Sequence, residues 1–298
     1  MSLFDQLVDE AMRNEQGLSP LRVVVEKELL HHDILREMGR AGLLAKLTFI
    51  GGTCLRMCYG SSRLSEDLDF AGGADFSREN LPELAGVLVE HLQRKYGLSV
   101  EVGEPTRETG NVDTWRLKLQ TRPGQRNLPA QRINIDICAI PSYQPRPMML
   151  RNHYGVDMGT SGLIVQAQSR EEILADKLVA FALRPNRLKN RDLWDIAWLR
   201  QQGVVLPLEL LPRKLGDHHC ELQRFLGLLA DRQKALLSEP KMHADFQAEM
   251  RRFLPAALVV ETVDSPDFWS YLTSLIELEC QRAHDYLVKG KQDGRFRM

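Results

Sequence analysis

The sequence predicts an α+β protein: a mixed sheet with flanking helices, followed by a purely helical C-terminal part. Short β-like segments bounded by turn residues are confined to residues 47–168, and helical spacing dominates before residue 45 and after Ser169. A length of 298 residues suits about two domains of roughly 150 each. The expected organisation is 1–45, N-terminal helices packed on the sheet domain; 46–162, the sheet domain; and 163–298, a helical domain. The Pro- and Gly-rich stretch 141–162 is read as the boundary loop.

Each element has a local reason. Ser19-Pro20 reads as an N-cap with proline at the first helical position, and Val23, Val24, Leu29, Leu30, Ile34 and Leu35 then recur at helical spacing until Gly39 and Gly42. Strands are predicted over 47–50, 67–70, 98–102, 114–120, 132–140 and 163–166. Between them, residues 76–96 read as a helix with Leu81, Leu84, Leu88 and Leu92 on one face and Gly97 as its stop. Ser169 and Glu172 have capping-box spacing before a helix that Pro185 closes. Asn190 is the expected cap of the next, and further helices are expected over 221–238, 241–254 and 266–288.

Composition excludes several classes. Hydrophobic residues make up 43% and charged residues 27%, a globular balance that fits neither a disordered nor a fibrous chain. The longest uncharged apolar run, Phe253 to Val260, is far short of the roughly 20 residues that span a bilayer, so no membrane role is expected. Acidic residues in the first 17 positions do not suit an export signal, and five cysteines suit a reducing compartment, so a cytoplasmic location is expected. A net charge of −1 excludes global capture of nucleic acid and leaves only local patches.

One stretch carries the chemistry. Gly51-Gly52-Thr53 follows a strand and opens a helix-like run, placing backbone N–H groups and a hydroxyl where phosphates can sit. Asp67 and Asp69 share one face of the next strand while Leu68 and Phe70 point into a core. Two carboxylates so close repel unless a cation joins them, and hard oxygen ligands suit Mg²⁺. Asp136 alternates with Ile133, Ile135 and Ile137, and if its strand lies beside the first, three carboxylates converge. Such a set holds two metal ions about 4 Å apart, as in-line phosphoryl or nucleotidyl transfer requires.

Gly51-Gly52-Thr53 with Arg63-x-Ser65-Glu66-Asp67-x-Asp69-Phe70 resembles the first motif of the AbiEii-type nucleotidyltransferase toxins, within the DNA polymerase β-like nucleotidyltransferase superfamily. Glu171 to Leu178, Arg184, and Lys189-Asn190-Arg191-Asp192-Leu193-Trp194-Asp195 are similar to that family's later motifs, a helix-borne lysine followed by R-D-x-x-D. The resemblance spans about residues 49–199. Thr53 stands where many such enzymes have serine, and the stretch between Asp69 and Asp136 offers no motif.

The resemblance implies a polymerase β-like domain and a Mg²⁺-dependent enzyme moving NMP from an NTP to an acceptor hydroxyl, foremost the 3′ end of tRNA. It also implies a toxin of a toxin–antitoxin or phage-defence system, with a cognate antitoxin. Asp67, Asp69 and Asp136 would hold the metals; Gly51, Gly52, Thr53, Arg63 and Ser65 the phosphates. Asp136 would take the hydroxyl proton, and Lys177 would counter triphosphate charge. Asp192 would orient Lys177 or touch the nucleotide, with Asp195 an alternative functional acid. Arg184, Arg187, Lys189 and Arg191 put four cations in eight residues, suited to triphosphate or RNA. The rival readings are a protein or small-molecule acceptor, and a non-catalytic binding module of the same fold.

Plainer roles fall to the remaining features. Cys54 and Cys58 are expected as buried thiols, since zinc requires more ligands. The doublets His31-His32 and His218-His219 are expected at the surface or at caps. Trp194 and Trp198 are expected in a core, and the basic run 289–297 as a frayed end.

Overall fold

The computed structural model describes residues 2–15, 17–106, 110–122, 130–185 and 187–292, and the chain divides into two compact units, 1–168 and 169–298. In the first, α1 (Leu3–Asn14) and α2 (Arg22–Arg40) precede β1 (Thr48–Ile50) and the short α3 (Gly51–Cys54), which continues as a π turn to Tyr59. Then come β2 (Leu68–Ala71), α4 (Leu84–Tyr96), β3 (Val100–Gly103), β4 (Val112–Leu119), β5 (Gln131–Cys138), β6 (Pro145–Met149) and β7 (Ile164–Gln168).

These strands form one sheet in the order β3-β4-β5-β2-β1-β7-β6, with β2–β5 and β1–β7 parallel and the other pairs antiparallel. One face is apolar: Phe49, Phe70, Trp115, Leu117, Ile133, Ile135 and Ile137 are buried. Helix α2 packs on β5 and α4, and α4 packs on β3. Each such apolar side chain contributes about 1.5–3 kcal/mol by leaving water.

Strand β6 departs from expectation, because it lies within the stretch read as a boundary loop. It is an edge strand, the setting in which Pro145 and Pro147 are tolerated despite lacking N–H donors. The division into units falls at Gln168 and not at 162, because β7 is tied to the sheet through β1 and β6. Ser19 to Leu21 forms a 3₁₀ turn before α2, and no side chain caps that helix.

Helix α2 buries an unusual set of polar groups, including Glu26, Glu28, Asp33 and Glu37. Each has cationic partners: Glu26 meets Arg22 and Arg122, Asp33 meets Arg36 (2.7 Å) and Lys95 (2.6 Å), and Glu37 meets Arg36 (2.6 Å). His31 and His32 are buried here too, contrary to expectation. The His31 ring bonds the Glu66 carbonyl (3.0 Å) and the His32 ring bonds the Thr160 hydroxyl (2.9 Å), both remote in sequence.

The second unit comprises α5 (Arg170–Leu183), α6 (Asn190–Gln201), α7 (Leu211–Asp217), α8 (Leu222–Ser238), α9 (Lys241–Met250), α10 (Ala256–Leu258) and α11 (Pro266–Gln292). Helix α5 packs on α6, α7 and α8, and α11 on α6 and α8. The Ser169 hydroxyl caps α5 by accepting the Glu172 N–H (3.1 Å). The Glu172 carboxylate meets Lys214 of α7 instead (2.5 Å), and Lys214 also meets Asp176 (3.0 Å). Asn190 is not a cap: Lys189 holds that position, and Asn190 donates to Glu249 (3.1 Å). Trp194 is buried against Phe268, while Trp198 is half-buried.

None of the five cysteines is in a disulfide, and burial pushes the Cys54 thiol well up. Among the described residues no helix is long and apolar enough to cross a membrane. Residues 293–297 of the basic run lie outside the described residues.

Two predictions follow from these buried charges. Lys214→Ala leaves Glu172 buried without its cation, and chemical denaturation is expected to register a loss of about 3–5 kcal/mol. For His32, burial lowers the folded-state value from 6.5 to about 4. Between those values the unfolded chain binds the extra proton, so stability is full above pH 6.5 and falls towards pH 4. Unfolding curves across that range are expected to show a shallower pH dependence for His32→Gln than for the wild type.

Candidate active site

In the first unit the site is built from β1, α3, β2, β5 and β4. Asp69 on β2 is the register partner of Ile50 on one side and of Asp136 on the other. Register partners on neighbouring strands lie about 4.8 Å apart and point to the same face, so Asp69 and Asp136 stand side by side. Both are half-buried, while Leu68, Phe70, Ile135 and Ile137 between them are buried on the opposite face.

Gly51 makes room for this pair. Its φ is +75°, and an added Cβ would lie 2.9 Å from Asp69 Oδ2 and 3.4 Å from Asp69 Cβ. Glycine is therefore required both for its backbone conformation and for the closeness of the carboxylate. No side chain caps α3 from its N-cap position, and its start lies beside the Asp69 carboxylate, as an anion at a helix N-terminus.

Two other bonds shape the carboxylates. Thr114 of β4, the register partner of Asp136, donates its hydroxyl to Asp136 Oδ1 (2.6 Å). Asp67 Oδ1 accepts the Asn134 N–H (3.0 Å), tying the approach to β2 onto β5. The three carboxylates do not close into one cluster as expected: no group of three His, Cys, Asp or Glu among the described residues is disposed to hold a metal ion. Asp69 and Asp136 remain a hard-oxygen pair suited to Mg²⁺, which takes one or two protein carboxylates and completes its octahedron with water and phosphate oxygens.

Thr53, Arg63 and Ser65, expected at the phosphates, are buried instead. The Thr53 hydroxyl donates to the Asp67 carbonyl and lies 2.6 Å from the Ser65 hydroxyl. Arg63 donates to the Leu64 carbonyl (2.9 Å). The Ser65 N–H donates to Glu28 Oε1 (2.8 Å), while Glu28 Oε2 accepts from Arg56 (3.1 Å) and from the Tyr154 hydroxyl. Burial alone would raise the Glu28 carboxyl, but Arg56, Tyr154 and the Ser65 N–H outweigh it and hold it below the ordinary range. These groups fix the course of the chain into Asp67 and Asp69.

In the second unit, Lys177 lies 2.5 Å from Asp192 and 2.8 Å from Asp195, and Arg184 lies 2.8 Å from Asp192. Both acids therefore hold the lysine. Burial would raise Asp192, yet Lys177 and Arg184 keep it below the ordinary carboxylate range. Burial lowers Lys189, against the attraction of Asp192. Arg191 is drawn away to Glu249 (3.3 Å) and the Phe253 ring, and Arg187 is exposed.

Thr114, Glu28 and Tyr154 were not singled out from the sequence, and His31 was named only in a doublet expected at the surface or at a cap. Alternation puts Thr114 on the polar face of its strand, but its partner is set by register, which alternation does not give.

The family model described as "Nucleotidyl transferase AbiEii toxin, Type IV TA system" matches residues 33–274. The chain belongs to this family. It is a nucleotidyltransferase of the AbiEii toxin type, and membership implies an NTP substrate and a cognate antitoxin.

Among solved structures, JHP933 from Helicobacter pylori is 18% identical, with 91% of this chain and 97% of that one covered and a TM-score of 0.46. A candidate nucleotidyltransferase from H. pylori is also 18% identical, covering 87% and 97%, at a TM-score of 0.47. An antigenic nucleotidyltransferase-like protein from Paracoccidioides brasiliensis is 15% identical, covering 80% and 98%, at 0.39. No protein with a curated description matches the chain significantly.

Gly51→Ala tests the geometry of this AbiEii site. The added methyl displaces the Asp69 carboxylate, so nucleotidyl transfer is expected to fall at least about tenfold, and thermal unfolding to show a loss of roughly 1–3 kcal/mol. Unchanged activity would separate Asp69 from the chemistry.

Proposed function

We propose that this AbiEii protein is a Mg²⁺-dependent enzyme that moves NMP from an NTP to a hydroxyl at the 3′ end of tRNA. The observation that carries the reading is the pairing of Asp69 with Asp136 on a half-open sheet face, with Gly51 leaving room for the Asp69 carboxylate beside the start of α3.

The acceptor oxygen forms a bond to the α-phosphorus, and the bond from that phosphorus to the bridging oxygen of the β-phosphate breaks. Pyrophosphate departs with the electron pair, and the hydroxyl proton passes to Asp136. Asp69 and Asp136, with Asp67 as an outer support, would hold Mg²⁺, which when bound would supply positive charge to the phosphate oxygens. The α3 backbone N–H groups of Gly52 and Thr53 bind phosphate oxygens, while the Thr53 hydroxyl keeps the turn on Asp67. Within the second unit, Asp192 and Asp195 hold the Lys177 ammonium and set its direction.

The family supports the toxin role and the antitoxin; the exposed Arg187 and half-exposed Arg184 support an RNA acceptor. The test is a panel of α-labelled NTPs with Mg²⁺ and either bulk tRNA or cell-lysate protein. Label is expected at RNA 3′ ends, at least about 100-fold reduced in Asp136→Asn, the range attributed to general base catalysis. Label in protein alone would exclude the tRNA acceptor, and nucleotide binding without transfer would favour a non-catalytic module.

A further inference from the structure

The sheet face that carries Asp136 continues, away from Gly51, into a cationic surface. Asp136, Asn134 and Arg132 share one face of β5, and register sets Arg116 of β4 beside Asn134 and Lys118 beside Arg132. Lys118 is countered by Glu101 of β3 (3.0 Å). Arg116 and Arg132 are both exposed, and neither guanidinium has a hydrogen-bond or ion-pair partner among the described residues. By contrast Arg22, Arg36, Arg56 and Arg122 in the same unit each meet a carboxylate. Exposed arginines on a strand commonly serve solubility alone; the position of these two relative to the reacting groups argues for more.

In-line displacement requires the entering and leaving oxygens to lie on opposite sides of the phosphorus. Strand order runs β4-β5-β2-β1, so the glycine turn at the end of β1 and Asp136 on β5 flank Asp69 from opposite sides. A triphosphate whose terminal phosphates lie at Gly51 and Gly52 sends its leaving group towards β1. The acceptor hydroxyl then enters over β5 and β4.

We propose that the phosphodiester backbone of the RNA acceptor crosses the β4–β5 face and that Arg116 and Arg132 hold its phosphates. Arg132 lies four residues from Asp136, about 13 Å along the strand, so it meets a phosphate upstream of the reacting nucleotide. The proposal rests on the RNA-acceptor reading above and adds the surface and the direction of entry.

The test measures bulk tRNA binding to the full chain by fluorescence anisotropy at several salt concentrations, for the wild type, Arg116→Glu, Arg132→Glu and the double variant. Each single variant is expected to weaken binding at least about fivefold. In the double variant, the slope of log affinity against log salt is expected to become shallower by about 1.4, at roughly 0.7 per single-strand phosphate contact. Arg116→Gln and Arg132→Gln, checked by thermal unfolding, are expected to give smaller losses of the same kind. KM for tRNA is expected to rise, with KM for the NTP unchanged within about twofold. Unchanged tRNA affinity and salt slope would overturn the proposal. So would a parallel loss of NTP affinity, which would assign the arginines to the triphosphate. The underlying reading is judged separately on the wild type: transfer to protein with none to RNA would defeat it whatever the arginine variants do.

Discussion

The buried carboxylate of Glu28 is the constraint on which the site depends. It accepts from the Ser65 N–H, the Arg56 guanidinium and the Tyr154 hydroxyl, and Arg56 in turn donates to the Ser61 carbonyl (2.9 Å). His31 and Lys27, on neighbouring turns of the same helix, bond the Glu66 carbonyl and carboxylate. Helix α2 thus grips the chain just before Asp67 from several sides. A buried charge is costly unless its partners are complete, and here one cation, Arg56, and two neutral donors surround it. The same completeness makes the arrangement specific, because any other course of this segment would cost Glu28 the Ser65 N–H and Arg56 the Ser61 carbonyl in the interior.

With its approach fixed, β2 enters the sheet in a register that leaves Asp69 between Ile50 and Asp136. The Thr53 hydroxyl closes the circuit by joining the glycine turn to the Asp67 backbone and the Ser65 side chain. Thr114 then orients Asp136. Polar groups held in place before substrate arrives lose little free energy to rearrangement during transfer, which is the advantage of such a built site. The neighbouring acids repel, and the repulsion favours a cation and the phosphates it carries.

Much of this arrangement was legible in the sequence. Alternation placed Asp69 and Asp136 on the polar faces of their strands, Gly97 ended α4 with φ +64°, and Ser169 capped α5. The order of strands was not legible, because pairing β2 with β5 across more than 60 residues is decided by the whole core and not by local pattern. The buried state of His31 and His32 was hidden for a related reason: their partners, Glu66 and Thr160, are distant in sequence. Thr53, Arg63 and Ser65 carry the polar chemistry of ligand contacts, yet the structure turns their side chains inward, where they shape the loop. β6 was missed because Pro145 and Pro147 read as loop residues, which holds for a central strand but not for an edge.

The pairing of Asp69 with Asp136 around a cation is the central claim, and a double-mutant cycle on metal affinity tests it most directly. Mn²⁺ binding in the presence of a non-hydrolysable NTP would be measured by calorimetry for the wild type, Asp69→Asn, Asp136→Asn and the double variant. The account predicts that each single change weakens binding at least about tenfold and that the double change weakens it by clearly less than the product of the two, as for groups sharing one ligand. Wild-type affinity in either single variant, or effects that multiply independently, would contradict it.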